Sequence, residues 1–477
     1  MIGGLLSVIA CGAACGGAAR PSLALYERGD FQGAARAADQ GLAAHPGDDG
    51  LWRMRVRAAL ALGDAAGVAT AYAGYRQQRQ GDDDRALLRE LAIATLGQAL
   101  EAPAVKLKLA AIDAVVAAEL EPLADAVAQR LKDDDDRVVA AAAIAVLHSD
   151  PRAVVSAGEL EQSEDAEARR IIYDGLGKKV GAPALGDLER AARDPDPRVR
   201  QTAIRWLGQL RDKDAVASLI QRLHDQDDGV RAAAGAALAR IGVGNLRELA
   251  GVAIADPALP VRLAGVALFA AAHDQAALGH LLDDPDPLVA TEAEIALGGG
   301  DRAAPALQRA ASAAPWEVRA GAANLAIRAL GKPAGAALAH RLLDDQVSRV
   351  RLAAARALAH DGLAGDDQAA ARVYAQLMHA DDAALGVEAA TAAAEQGAAA
   401  QGAAAQGAAA QAAAEGVAAL DQAIRSLPSP SERLAAADGH AAARRITPGL
   451  VAALADASGR VRVAAAAALT LLTRERR

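Results

Sequence analysis

The stretch Asp194-Pro-Asp-Pro-Arg-Val-Arg-Gln-Thr-Ala-Ile-Arg-Trp-Leu-Gly208 recurs in outline through most of the chain. A short period leaves few folds open, because one copy cannot bury its own apolar face and must stack on the next. The copy itself predicts a helix. Asp196 can accept from the free amides of the first turn, and Pro197 suits that turn because its missing N–H is not needed there. Val199, Ala203, Trp206, Leu207 and Leu210 then follow at helical spacing and make one apolar stripe, with Trp206 expected in the core. In the next copy Val216, Leu219, Ile220 and Leu223 supply a first helix, His224 to Gly229 a turn, and Val230-Arg231 the start of a second. The unit is an antiparallel helical hairpin, and the fold class is all-α: an α-solenoid of stacked hairpins.

With Val199-Arg200 as register mark, equivalent pairs lie at Leu107-Lys108, Val138-Val139, Ala168-Arg169, Val230-Arg231, Val261-Arg262, Val289-Ala290, Val318-Arg319, Val350-Arg351 and Val461-Arg462. From Leu107 to Val350 the steps are 31, 30, 31, 31, 31, 28, 29 and 32 residues. These residues resemble the short HEAT-like repeats of the phycobilisome-lyase type. Asp-Pro-x-x-x-Val-Arg-x-x-Ala, as from Asp194 to Ala203, carries the resemblance, together with a glycine before the next helix at Gly208, Gly242 and Gly331. It covers roughly residues 100 to 360 and returns at 446 to 473. Val139, Ala290 and Glu388 depart from it by replacing the arginine, so a charge ladder along the stack would be broken there. The arginine series has two readings: pairing with aspartates between repeats, or a row facing a ligand.

Residues 1–21 form a signal-like segment. Val8-Ile9-Ala10-Cys11 ends an apolar run too short to span a bilayer and resembles the bacterial lipobox, which implies lipidation at Cys11, although no Lys or Arg precedes the run. Cys11 and Cys15 are the only cysteines, so neither a disulfide framework nor a Cys-rich metal site is expected. Residues 22–98 resemble tetratricopeptide repeats through Ala24 to Phe31, Ala34, Ala38, Leu42 and Pro46, with Gly29-Asp30 repeated 34 residues on at Gly63-Asp64. Two or three irregular capping helices remain the alternative. The HEAT-like solenoid proper spans 99–362 and a degenerate repeat 363–395. Residues 396–415 are a low-complexity Gln-Gly-Ala insert, and 416–477 hold degenerate and terminal HEAT-like repeats. The five-residue step at Gln396, Gln401 and Gln406 turns a helix by about 500°, so the insert should have no face to bury. Arg474 to Arg477 would end the chain as a charged terminal cap.

Catalytic patterns are missing: no nucleophile elbow, phosphate loop or zinc helix occurs, so no catalytic residue, cofactor or metal is expected. Asp225-Gln-Asp-Asp-Gly229 and Asp284-Pro-Asp286 begin like calcium loops, but Ala236 and Ile295 stand where a bidentate Glu is required, and helix capping explains them better. Hydrophobic residues make up 53% of the chain and aromatics 2%, so Ala, Leu and Val must form the core. Trp316, just after Pro315 at the mouth of a second helix, is a candidate contact for a protein partner. A net charge of −9 argues against nucleic acid and against an anionic membrane surface, leaving the lipid anchor as the membrane attachment. The resulting expectation is a non-enzymatic protein-binding scaffold of the cell envelope. A bilin lyase-like or other repeat-based enzyme, and a cytoplasmic HEAT-like scaffold, are the alternatives.

Overall fold

The computed structural model describes residues 17–242, 245–299, 304–363, 365–399 and 408–474. Every regular element among them is a helix, and the helices stack as a solenoid. The chain divides into two compact units, one formed by 131–373 and the other by 1–130 together with 374–477.

The 131–373 unit is a run of hairpins. Its second helices are Asp136–Ala145, Ala166–Lys179, Pro197–Gln209, Asp228–Ile241, Leu259–Ala271, Pro287–Ala296, Trp316–Leu330 and Ser348–Asp361. Each of the first seven packs on the second helix of the hairpin that follows. The aspartates start them: Asp135, Asp165, Asp196, Asp227 and Asp286 each accept a backbone amide from their own first turn. Asp227 and Asp286 thus explain two of the clusters that begin like calcium loops. The glycines of the repeat serve two purposes. Gly242 and Gly331 end helices with φ of +78° and +76°, which side chains other than glycine resist. Gly208 lies inside its helix, where a Cβ would stand 2.7 Å from that of Ala237 in the next repeat.

Repeats are joined by arginine and aspartate. Arg231 forks onto Asp256 of the next turn at 2.7 and 3.0 Å. Its remaining nitrogen donates to two carbonyls of its own turn, Asp225 at 2.9 Å and Gln226 at 3.2 Å. Asp256 in turn accepts the Ala258 amide at 2.8 Å, so one carboxylate shapes its own turn and holds the preceding repeat. The pairs Arg169–Asp194, Arg200–Asp225 and Arg319–Asp345 repeat the arrangement at 2.6–2.7 Å, whereas Arg262 reaches the helix-capping Asp286, two residues further along its turn, at 3.0 Å. The Arg231 and Arg319 guanidinium groups hold the Asp256 and Asp345 carboxyls below the usual carboxylate range. Of the two readings of the arginine series, the structure selects the ladder.

The gaps in the ladder are informative. Ser163 and Ala313 occupy the aspartate's place, since Arg169 and Arg319 donate to their carbonyls as Arg231 does to Asp225. These are the positions that an arginine at 139 or 290 would reach, and Val139 and Ala290 stand there instead. In the other unit Leu427, whose carbonyl accepts from Arg433, likewise follows the repeat that carries Glu388. Arginine and aspartate are absent together at all three joints, which is how a pair that costs desolvation when half-made is removed.

The second unit begins with the helices Arg20–Glu27, Phe31–Ala44, Asp49–Ala61 and Ala65–Gln78. Its two Gly-Asp turns are built alike: Gly29 and Gly63 have positive φ, and Asp30 and Asp64 cap the helices that follow through Gly33 and Gly67. Asp84 is buried, caps the Arg85–Leu100 helix, and accepts from Arg53 at 2.7 Å and Tyr75 at 2.8 Å, so the acidic stretch is a bonded joint.

Near the other end, Ala383–Ala399 packs along Ala408–Ser426. Contrary to the expectation for the insert, Ala409 and Ala412 are buried, and a Cβ on Gly397 would stand 2.3 Å from that of Ala413. In a helix of alanine and glycine any side can serve as the apolar face, and Gln411 turns outward to Glu415. Residues 400–407 lie outside the described residues. The last hairpin is Pro448–Ala452, extended by a 3-10 turn, and Gly459–Leu472. Instead of capping the stack, it packs on Pro430–Ala443 on one side and on Arg85–Leu100 and Val105–Ala117 on the other. Of the charged terminal cap expected at Arg474 to Arg477, Arg474 pairs with Glu119 at 2.6 Å; residues 475–477 lie outside the described part.

His440 ties Pro430–Ala443 to this hairpin. It is fully buried, with Nδ1 2.8 Å from the Ala436 carbonyl and Nε2 2.9 Å from the Thr447 hydroxyl that caps the next helix. Burial pushes its imidazole below the usual 6.5. A depressed pKa adds stability that is present above the unfolded value and is lost as pH falls through the folded one. The thermal midpoint of this unit should therefore fall as pH drops below about 6.5, and His440→Gln should flatten that slope in circular dichroism melts. For the ladder, Arg231→Ala or Asp256→Ala alone should each cost about 2 kcal/mol, as for hydrogen bonds to a charged group. The double variant should be no less stable than either single one, and additive losses in a denaturant double-mutant cycle would contradict the pairing.

Candidate functional site

The ladder turns the arginines of the register mark into the joints, and other positions of the second helices are left to line an open groove. Three of these helices, Pro197–Gln209, Asp228–Ile241 and Leu259–Ala271, enclose this groove of about 460 Å³. Its origin is visible in the register. Two, three and six residues after the mark, the first of these helices carries Gln201, Thr202 and Arg205, whereas the second carries Ala232, Ala233 and Ala236. The alanines form the floor; Gln201 and Arg205 make one wall, with Arg240 and Pro260 also lining the groove.

Beside the groove, Asp174 accepts from Arg205 at 2.5 Å and from the Trp206 indole at 2.8 Å. Arg205 also lies over the Trp206 ring, 5.8 Å from its centroid. Trp206 is therefore not the interior residue that its place on the stripe predicts. It is half-buried and lies across the preceding second helix at Gly177, where a Cβ would stand 2.3 Å from the indole. One turn away Arg170 forks onto Glu167 at 2.7 and 3.0 Å and holds that carboxyl below its usual range. Arg240 makes no ion pair among the described residues. The arrangement offers shape, alanine surface and positive charge, and it holds no nucleophile beside a base. Among the described residues no group of three or more His, Cys, Asp or Glu is placed to hold a metal ion.

Trp316 is the first residue of the Trp316–Leu330 helix and is partly buried against the core cluster that includes Leu307, Ala326 and Val350. It does not line the groove. Cys11 and Cys15 lie outside the described residues. The groove could have been found in the sequence by aligning the copies and asking which positions after the mark shrink to alanine.

Residues 158–239 match the family model for HEAT repeats, a span that includes the first helix of the groove and most of the second. No curated protein matches the sequence. Among solved structures the chain is similar to the complex of CpcE and CpcF of phycocyanin lyase from Nostoc sp., at 19% identity, covering 56% of this chain and 93% of that one with a TM-score of 0.29. It is also similar to importin beta, at 15% identity, 93% and 61% coverage and a TM-score of 0.31. A homology model of the full-length AP-3 complex matches at 12% identity, 86% and 87% coverage and a TM-score of 0.32. The likeness is one of helical-repeat fold.

The comparisons also correct the envelope placement read from the first residues, since none of the matches supports a lipoprotein signal. No described helix is long and apolar enough to cross a membrane. Replacing Gly177 by Ala should displace the Trp206 indole and cost about 1–3 kcal/mol through overpacking. In a Trp52→Phe, Trp316→Phe background the change should appear as red-shifted tryptophan emission. The chain is an all-helical stack of repeats, of which residues 158–239 match HEAT repeats.

Proposed function

We propose that the protein is a non-enzymatic scaffold that holds a segment of a partner protein in the groove between the second helices of residues 197–271, and that this segment is acidic where it meets Arg205 and Arg240. The observation that carries the reading is the division of labour among the arginines. Those of the register mark are fixed in the joints, with Arg169, Arg200, Arg231 and Arg319 only 11–15% exposed. Arg240 instead stands exposed at an alanine floor, and Arg205, though held by Asp174, keeps half of its side chain exposed beside it. Small side chains let a partner backbone come close, and charge at the wall fixes its register more than its affinity. Repeat arrays favour such use because stacking supplies a long surface without needing a deep pocket. Trp316 stays a candidate second contact only through its partly exposed ring.

A photo-crosslinking residue at Ala236 should capture discrete partner bands in cells, and the same residue at Gln221 on a first helix should not. Arg240→Glu should remove the bands without altering the helical spectrum. Equal capture from both positions, or bands indifferent to Arg240→Glu, would refute this reading.

A further inference from the structure

The unit formed by the two chain ends carries a second groove, of about 540 Å³, at the equivalent place on its own second helices. It exists because Gly459 brings Gly459–Leu472 against Leu107 of Val105–Ala117, where a Cβ would meet the leucine at 2.7 Å. Leu109, Leu434, Val463, Ala464 and Ala467 give it an apolar floor and walls. Its charges are sorted by level. One residue before the mark stand Lys106 and Arg460; six residues after it stand Asp113 and Asp438. The two levels are seven residues apart, roughly 10 Å along a helix. Neither Lys106, Arg460 nor Asp438 makes an ion pair among the described residues. The apolar surroundings push the Asp438 carboxyl upward although it still reaches solvent.

We infer that this groove binds an amphipathic α-helical segment of a partner protein that carries an acidic residue over Lys106 and Arg460, apolar residues over Val463 and Ala464, and a basic residue two turns on over Asp113 and Asp438. The occupant is helical because the groove is walled by helices whose backbone groups are already bonded. An extended segment would leave its own amides and carbonyls against alanine, valine and leucine, whereas a helix satisfies them internally. Residues i, i+3, i+4 and i+7 share one helical face, so the required pattern is acid, two apolar positions and base over seven residues. The groove of residues 197–271 has Arg205 at the level where this one has Asp438, so the two surfaces select different segments, and this inference does not rest on the first.

The test uses the full chain and labelled, alanine-based helical peptides read by fluorescence anisotropy. One peptide carries Glu and Lys seven residues apart with Leu at the two intervening positions; a second carries Glu at both ends. The Glu–Lys peptide should bind more tightly than the Glu–Glu peptide. Asp438→Lys should weaken the first and strengthen the second, each by about threefold, the scale of one solvent-exposed ion pair. Ala467→Trp should fill the groove and abolish binding, while Ala236→Trp in the other groove should leave it unchanged. Circular dichroism confirms that each variant is folded. No binding of the Glu–Lys peptide at millimolar concentration, equal binding of both peptides, or binding that survives Ala467→Trp would overturn the inference.

Discussion

The joint between repeats depends on one arginine bonding three partners at once: a carboxylate of the next turn, and two carbonyls of its own. Stacked alanines and leucines would attract neighbouring hairpins in many registers, because apolar burial has little directional preference. The fork of Arg231 onto Asp256 has a direction and a length, so it fixes how far each hairpin rotates on its neighbour. Its half-buried setting makes an unmatched partner costly, and this chain shows the consequence at three joints, where both members are replaced.

Much of this order is legible in the sequence. The caps at Asp196, Asp227 and Asp286, the hairpin period and the all-helical class follow from local chemistry, which a single copy already contains. The ladder was half-legible: the missing arginines stand out, whereas Ser163, Ala313 and Leu427 gain meaning only once the aspartate is located five residues before the mark. Trp206 shows the limit of the stripe. A residue at the stripe's edge can swing to either side, and its direction was set by Gly177 and Asp174 on another repeat. The Gln-Gly-Ala stretch misleads for a related reason, since periodicity cannot assign a face to a helix whose sides are all alanine.

The two grooves share an address in the register and differ in what surrounds it. In each, alanine six residues after the mark, Ala236 or Ala467, lowers the floor between taller neighbours. Arg205 beside the first and Asp438 beside the second then give the two surfaces opposite charge at that level. A repeat protein can acquire distinct recognition surfaces in this way without new structure, because one substitution per repeat changes the surface while the joint residues, which face elsewhere, keep the stack. The candidate sites were harder to read than the fold for that reason: their residues are ordinary, and only their alignment across copies is informative.

The contact of Gly459–Leu472 with the Arg85–Leu100 and Val105–Ala117 helices places a demand on biosynthesis. The partners are separated by roughly 350 residues, so at about 5–20 residues per second the earlier helices wait some 20 to 70 seconds for the face that covers them. The intervening hairpins can stack as they emerge, since each needs only its neighbour. The unit that joins early and late segments cannot, and its apolar surface stays open until Gly459–Leu472 leaves the ribosome. A chain broken off before this helix would therefore keep most of its repeats folded while exposing this surface, which makes the covered face a molecular record of whether translation passed Leu472.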